Sequence, residues 1–171
     1  MSPTTQERDE RFMRRCIELA NAAGKAGDLP FGSIVVLDGE ILGEGSNLLQ
    51  QTKQIDRHAE RIALLQAQER LQTRVLKGCT VYTTVEPCPM CSFPIRELHI
   101  SRVVSGLRSP VMGGYTRFGV LQDTGISDKV LGYFGAPPEI VEGVLREECM
   151  ESWKVWAPEV WEGFVKNGVL D

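Results

Sequence analysis

The chain has 171 residues, 42% hydrophobic and 25% charged, the usage of an ordinary globular domain long enough to bury a sizeable core. Lys+Arg is 19 against Asp+Glu 23, a net charge of -4 with the basic residues dispersed, which argues against a protein built mainly to grip polynucleotide backbone. Apolar runs are too short to span a bilayer and the first residues are polar and charged, so the expectation is a soluble, cytoplasmic protein with no membrane contact.

Residues 9–26 put Phe12, Cys16, Leu19, Ala20 and Ala23 on one stripe, a helix ending near Gly24 and Gly27. Residues 33–37 and 40–44, joined by Asp38-Gly39, read as a β-hairpin. A helix over 57–71, a buried strand over 79–85, a helix over 89–98 and a strand over 102–105 follow. A short strand at 140–141 then leads to a helix from Val144 to about Trp156, stopped before Pro158. Residues 109–125 and 132–138 are rich in turn formers but do not separate two cores, so residues 1–171 are expected to form a single domain. Helices alternating with strands after an opening hairpin imply an α/β sheet covered on both faces.

Five cysteines is an odd number, and Cys88 and Cys91 lie three apart, which disfavours a disulfide framework and raises a metal or redox pair. One of the two histidines stands in His58-Ala59-Glu60. His58, Cys88 and Cys91 make three zinc ligands and leave the fourth tetrahedral position to water, the ligand count of a catalytic rather than a structural site. Residues two apart on a helix point about 200° apart, so His58 and Glu60 converge only on a point just beyond a helix N-terminus. Cys88 and Cys91, with Pro89 near a first helical position, converge in the same way on the next helix, and two positive helix ends favour thiolates. Glu60 is suited to take a proton from a water and pass it on. Either fragment alone reads equally well as part of a glutamate-rich chain, a redox pair or a closed zinc knot; both in this order point to catalysis.

Pro30-Phe31-Gly32, Gly45-Ser46-Asn47, His58-Ala59-Glu60 and Glu86-Pro87-Cys88-Pro89-Met90-Cys91 together resemble the zinc-dependent cytidine and deoxycytidylate deaminase superfamily, whose H-x-E and P-C-x-x-C signature is a known one. The likeness runs to about Trp156 and is nearest to the branch of bacterial tRNA adenosine deaminases, guanine deaminases and fungal-type cytosine deaminases. It implies a three-layer α/β/α cytidine deaminase-like fold with a five-stranded mixed sheet, one Zn(2+) per chain, a homodimer and hydrolytic deamination. His58, Cys88 and Cys91 would hold the zinc and Glu60 would be catalytic. Asn47 matches a substrate-binding position or is a plain turn residue, and backbone groups at Ala59 and Pro87 would meet the ring edge. Phe31 is a stacking wall or core, while Trp156 is an aromatic near the pocket or helix packing, as read for Trp153 and Trp161. His99, Cys16, Cys79 and Cys149 read as structural; a fourth ligand among them would end the enzyme reading.

The chain departs from that branch in three places. Asp56-Arg57 replaces a small Thr-Ala pair and brings a guanidinium toward the pocket mouth. The stretch 109–123 is foreign to all three subfamilies, and its Tyr115, Arg117 and Phe118 suit a lid. Glu147, Glu148, Glu151, Glu159 and Glu162 make the tail acidic, the wrong sign for a tRNA surface. The expectation is therefore deamination of a free nucleobase or similar small amino-heterocycle of the guanine, cytosine or adenine type. The alternatives are a tRNA-specific adenosine deaminase and a zinc-bound non-catalytic module, the latter disfavoured by the intact Glu60.

Overall fold

In a computed structural model describing residues 3–130 and 132–171, the first apolar stripe is α1, Thr5–Lys25. It begins before residue 9 because Thr4 and Glu7 form a capping box that satisfies two otherwise orphaned N–H groups. β1 (Gly32–Leu37) and β2 (Glu40–Ser46) form the expected hairpin, with Asp38 and Gly39 both at positive φ as its tight turn demands. A single helical turn, α2 (Leu49–Thr52), precedes α3 (Ala59–Leu71), β3 (Thr80–Val85), α4 (Pro89–Glu97) and β4 (Arg102–Leu107). The chain continues through α5 (Thr124–Lys129), β5 (Glu139–Val141), α6 (Arg146–Trp156) and α7 (Pro158–Lys166). Pro158 ends α6 as expected, and it also heads α7, because a missing N–H costs nothing at a first helical position.

The strands form one sheet in the order β2-β1-β3-β4-β5, antiparallel across the first three and parallel across the last three. This is the five-stranded mixed sheet of the expected fold. Alternation along the strands sends Ile34, Tyr82 and Val104 toward Phe12, Met13 and Trp153 of α1 and α6. Val35, Val81 and Val103 go the other way, against Leu64 and Ile95 of α3 and α4. Each such side chain contributes about 1.5–3 kcal/mol by leaving water, so both faces are held and the layers number three.

At one end of the sheet, Asp9 is buried and accepts hydrogen bonds from Tyr82 Oη and from Arg102 Nη1 and Nη2, each at 2.8 Å, tying α1 to β3 and β4. Burial by itself raises the Asp9 carboxyl, but the bonds from Arg102 and Tyr82 outweigh it and hold the group below its ordinary value of 3.8. Asp9→Asn is expected to lower the unfolding free energy by about 2 kcal/mol at neutral pH, measured by urea denaturation. The folded carboxyl titrates below the unfolded one, so its contribution is full above pH 3.8 and is lost as the pH falls through the folded value; wild type and variant should converge in acid.

Candidate active site

Gly45 on β2 allows α3 to start where it does, since a Cβ there would lie 2.0 Å from the carbonyl oxygen of Ala59. The strand therefore presses directly on the first turn of α3, whose N-cap residue is His58. Cys88 is the N-cap of α4, with Pro89 in its first turn, and the Cys88 carbonyl accepts from the N–H groups of Cys91 and Ser92 at 3.0 and 2.8 Å. Two helices thus begin at one place. His58 Nδ1 lies 3.6 Å from Cys88 Sγ and 3.5 Å from Cys91 Sγ, and one donor atom from each of the three residues falls within 4.8 Å of the others. Tetrahedral zinc bonds of about 2.3 Å to sulfur and about 2.0–2.1 Å to nitrogen separate S from N by about 3.6 Å, so the three donors fit the ion.

Among the described residues no other His, Cys, Asp or Glu joins this cluster. Cys16, Cys79 and Cys149 are free thiols buried elsewhere, and His99 donates to the Tyr133 carbonyl. Burial pushes Cys79 up to about 11 and Cys149 up to about 12, which keeps both protonated. Cys88 goes the other way, down to about 4, drawn by the hydrogen bond from the Cys91 thiol and then by His58.

Glu60, on the first turn of α3, is 4% exposed and accepts from the Cys91 thiol at 3.6 Å and from the Thr83 hydroxyl at 3.4 Å. Burial first, and the neighbouring Cys88 second, push its carboxyl up to about 7; a cation on the three donors pulls the opposite way. His58, Glu60 and Cys88 open on a cavity of about 110 Å³ with Phe31, Val85 and Glu86. Its remaining walls are Ser109, Met112, Phe164 and Leu170.

The other expected contacts lie at different removes from this cavity. Phe31 lines it and meets Trp153 edge-on, with ring centroids 5.0 Å apart. Ala59 is fully buried under the N-terminus of α3. The Pro87 carbonyl already accepts from Gly114 N–H and the Ser92 hydroxyl. Asn47 is buried beside Phe31, whose carbonyl its N–H reaches, and its Nδ2 donates to Asp28 Oδ1 at 2.6 Å. Trp156 packs against Gly24, donates to Asn21 and borders a groove with Asp28 and Pro158 rather than the cavity. Arg57 turns to Gln54 and does not line the cavity.

The stretch 109–123, long enough to line or cover the site, lines the cavity through Ser109 and Met112 and is pinned there. Glu86, buried at the start of the cysteine motif, accepts from Ser109, Tyr115 and Thr116 N–H groups and from the Thr116 hydroxyl, all within 2.8 Å. Gly114 lies so close to Ser92 that a Cβ would fall 1.9 Å from its hydroxyl. Arg96, fully buried on α4, donates to the carbonyls of Val120, Asp123 and Gly135. Sequence reasoning quoted Glu86 without a role and passed over Arg96; neither is recognisable without its distant partners. Phe164 and Leu170 were missed as well, since nothing in their local pattern points to the zinc donors.

Residues 6–107 match the model of the cytidine and deoxycytidylate deaminase zinc-binding region. The chain belongs to this deaminase family. It is 34% identical over 142 residues to a Bacillus subtilis tRNA-specific adenosine deaminase, covering 82% of this chain and 83% of that protein. A solved structure from work on A-to-I editing by tRNA:A34 deaminases at the wobble position matches with TM-score 0.71 and 27% identity, over 83% of this chain and 98% of that one. The structure of a Bacillus subtilis guanine deaminase matches with TM-score 0.57 and 35% identity, over 58% and 64%.

The expectation of a free nucleobase does not hold, because the relative matching over most of this deaminase is named for tRNA adenosine. The stretch 98–122, which lines the cavity through Ser109 and Met112, carries Arg102, Arg108 and Arg117 and no acid, but Arg102 is paired with Asp9 and Glu139 and Arg108 with Glu142 and Asp171. Among the described residues no helix is long and apolar enough to cross a membrane. Cys91→Ala is expected to reduce bound zinc from one per chain to near zero by atomic emission and to lower the melting temperature, whereas Cys149→Ala keeps the metal.

Proposed function

We propose that this deaminase acts hydrolytically on adenosine within transfer RNA, exchanging the exocyclic amine for oxygen and releasing ammonia. The observation that carries the reading is the match of four-fifths of the chain to a tRNA-specific adenosine deaminase, in a fold that sets Glu60 beside three zinc donors. Arg117, exposed on the cavity-wall stretch, and Lys53 and Arg57, exposed on the loop before His58, support a polyanionic substrate.

His58, Cys88 and Cys91 would hold zinc, which when bound supplies the Lewis acidity that makes water nucleophilic near neutral pH. Glu60 takes the proton of the water attacking the amine-bearing carbon, and returns protons to the ring nitrogen and the departing amine. Burial raises the Glu60 carboxyl and favours its taking up a proton, while zinc on the three donors would favour its releasing one. Phe31 gives the base an apolar wall. Asp28 takes the Asn47 amide nitrogen, so in this reading Asn47 would offer the substrate its Oδ1 as an acceptor.

The reading carries with it a cytoplasmic homodimer and a single domain over 1–171. Leu65 and Phe93, 49% and 47% exposed on α3 and α4, support a partner face, and α7 sharing a core with α1 supports one domain.

Zinc-loaded protein is expected to convert adenosine to inosine in an anticodon stem-loop and to leave free bases unchanged. Glu60→Gln should retain zinc and melting temperature while losing at least about 100-fold in rate. Release of ammonia from a free base but not from the stem-loop would overturn the reading, and silence across both with zinc bound would favour a non-catalytic module.

A further inference from the structure

The family match ends at residue 107, yet two cavity walls come from far beyond it, Phe164 on α7 and Leu170 just after it. The path that brings them there is well defined. Val169 N–H returns to the Phe164 carbonyl at 2.8 Å, and Gly168, at φ +63°, turns the chain back toward the site. Arg108 and Asp171 then exchange backbone hydrogen bonds of 2.9 and 3.1 Å, as paired strands do, and the Ser109 hydroxyl donates to the Val169 carbonyl at 3.3 Å. Leu170 is left 3% exposed. Trp153, fully buried on α6, backs two walls at once: Phe31 meets it at 5.0 Å and Phe164 at 5.6 Å between ring centroids.

His58, Cys88, Cys91 and Glu60 face the chemistry of amine loss, which every aminopurine shares, so they do not choose among heterocycles. Choice falls to the walls, and an apolar wall discriminates by volume. We infer that Phe164 and Leu170 are specificity-determining side chains, and that the segment after α6 sets the size of the base admitted beside Glu60. The inference rests on the tRNA adenosine reading for its substrate, while the wall itself rests on the geometry.

Two stem-loops test it, one with adenosine and one with the bulkier 2,6-diaminopurine riboside at the target nucleotide. Leu170→Ala is expected to raise kcat/KM for the bulkier base relative to adenosine by about tenfold, the scale on which missing methylenes change discrimination in an apolar pocket. The change should sit mainly in KM, zinc content should be unaltered, and Leu170→Met, which conserves volume, should restore the wild-type ratio. Leu170→Val carries the same test should Leu170→Ala fail to fold. An unchanged ratio, or equal losses on both substrates, would overturn the inference. Zinc stripping by EDTA gives a readout independent of turnover, with faster loss expected when the wall is opened. If wild type deaminates neither stem-loop, the tRNA reading fails, and unchanged stripping in Leu170→Ala would then sink the wall inference separately.

Discussion

The structure depends on two helices starting at one point. His58 and Cys88 are both N-cap residues, each in extended conformation, and the next turn of each helix supplies a partner, Glu60 from one and Cys91 from the other. Exposed backbone N–H groups and positive helix ends favour thiolate sulfur there, and hydrogen bonding within the cluster already draws Cys88 down to about 4. The sheet makes the meeting possible. β1 and β3 are neighbours, and Gly45 on β2 lets α3 approach closely enough for His58 to reach donors that follow β3.

Around this point the substrate walls are held by buried charge. Glu86 gathers three backbone N–H groups and a hydroxyl from 109–116, while Arg96 gathers carbonyls from Val120, Asp123 and Gly135. Each brings a formal charge into the interior, which is sustainable only because hydrogen bonds fill its valence. Arg96 rides on the helix that carries Cys91, and Glu86 stands two residues before Cys88. Metal donors and cavity wall therefore share one rigid unit, and a loop that looks mobile in composition is anchored at both ends.

Net charge says little about a substrate, because a substrate meets a local surface. Five of the 23 acids lie on α6 and α7, whereas 98–122 has none. Screening limits exposed charges to about 8–10 Å, so distant carboxylates do little to the field at the cavity mouth.

Strand and helix order was legible from periodicity, since alternation in 33–37 and the stripe from Phe12 to Ala23 are local properties. The three donors and Glu60 were legible because metal chemistry dictates residue types and spacing within short motifs. Boundaries were less so: α2, α5 and α7 are short and owe their form to packing and caps. The cavity-wall partners of Glu86 and Arg96 lie 23 or more residues away and Asn47 lies 19 from Asp28, while Leu170 rather than Trp156 lines the cavity. Sequence by itself determined the fold class and the zinc donors, both encoded in short-range pattern. Only tertiary structure decided which side chains wall the cavity, because that follows from where a distant segment docks.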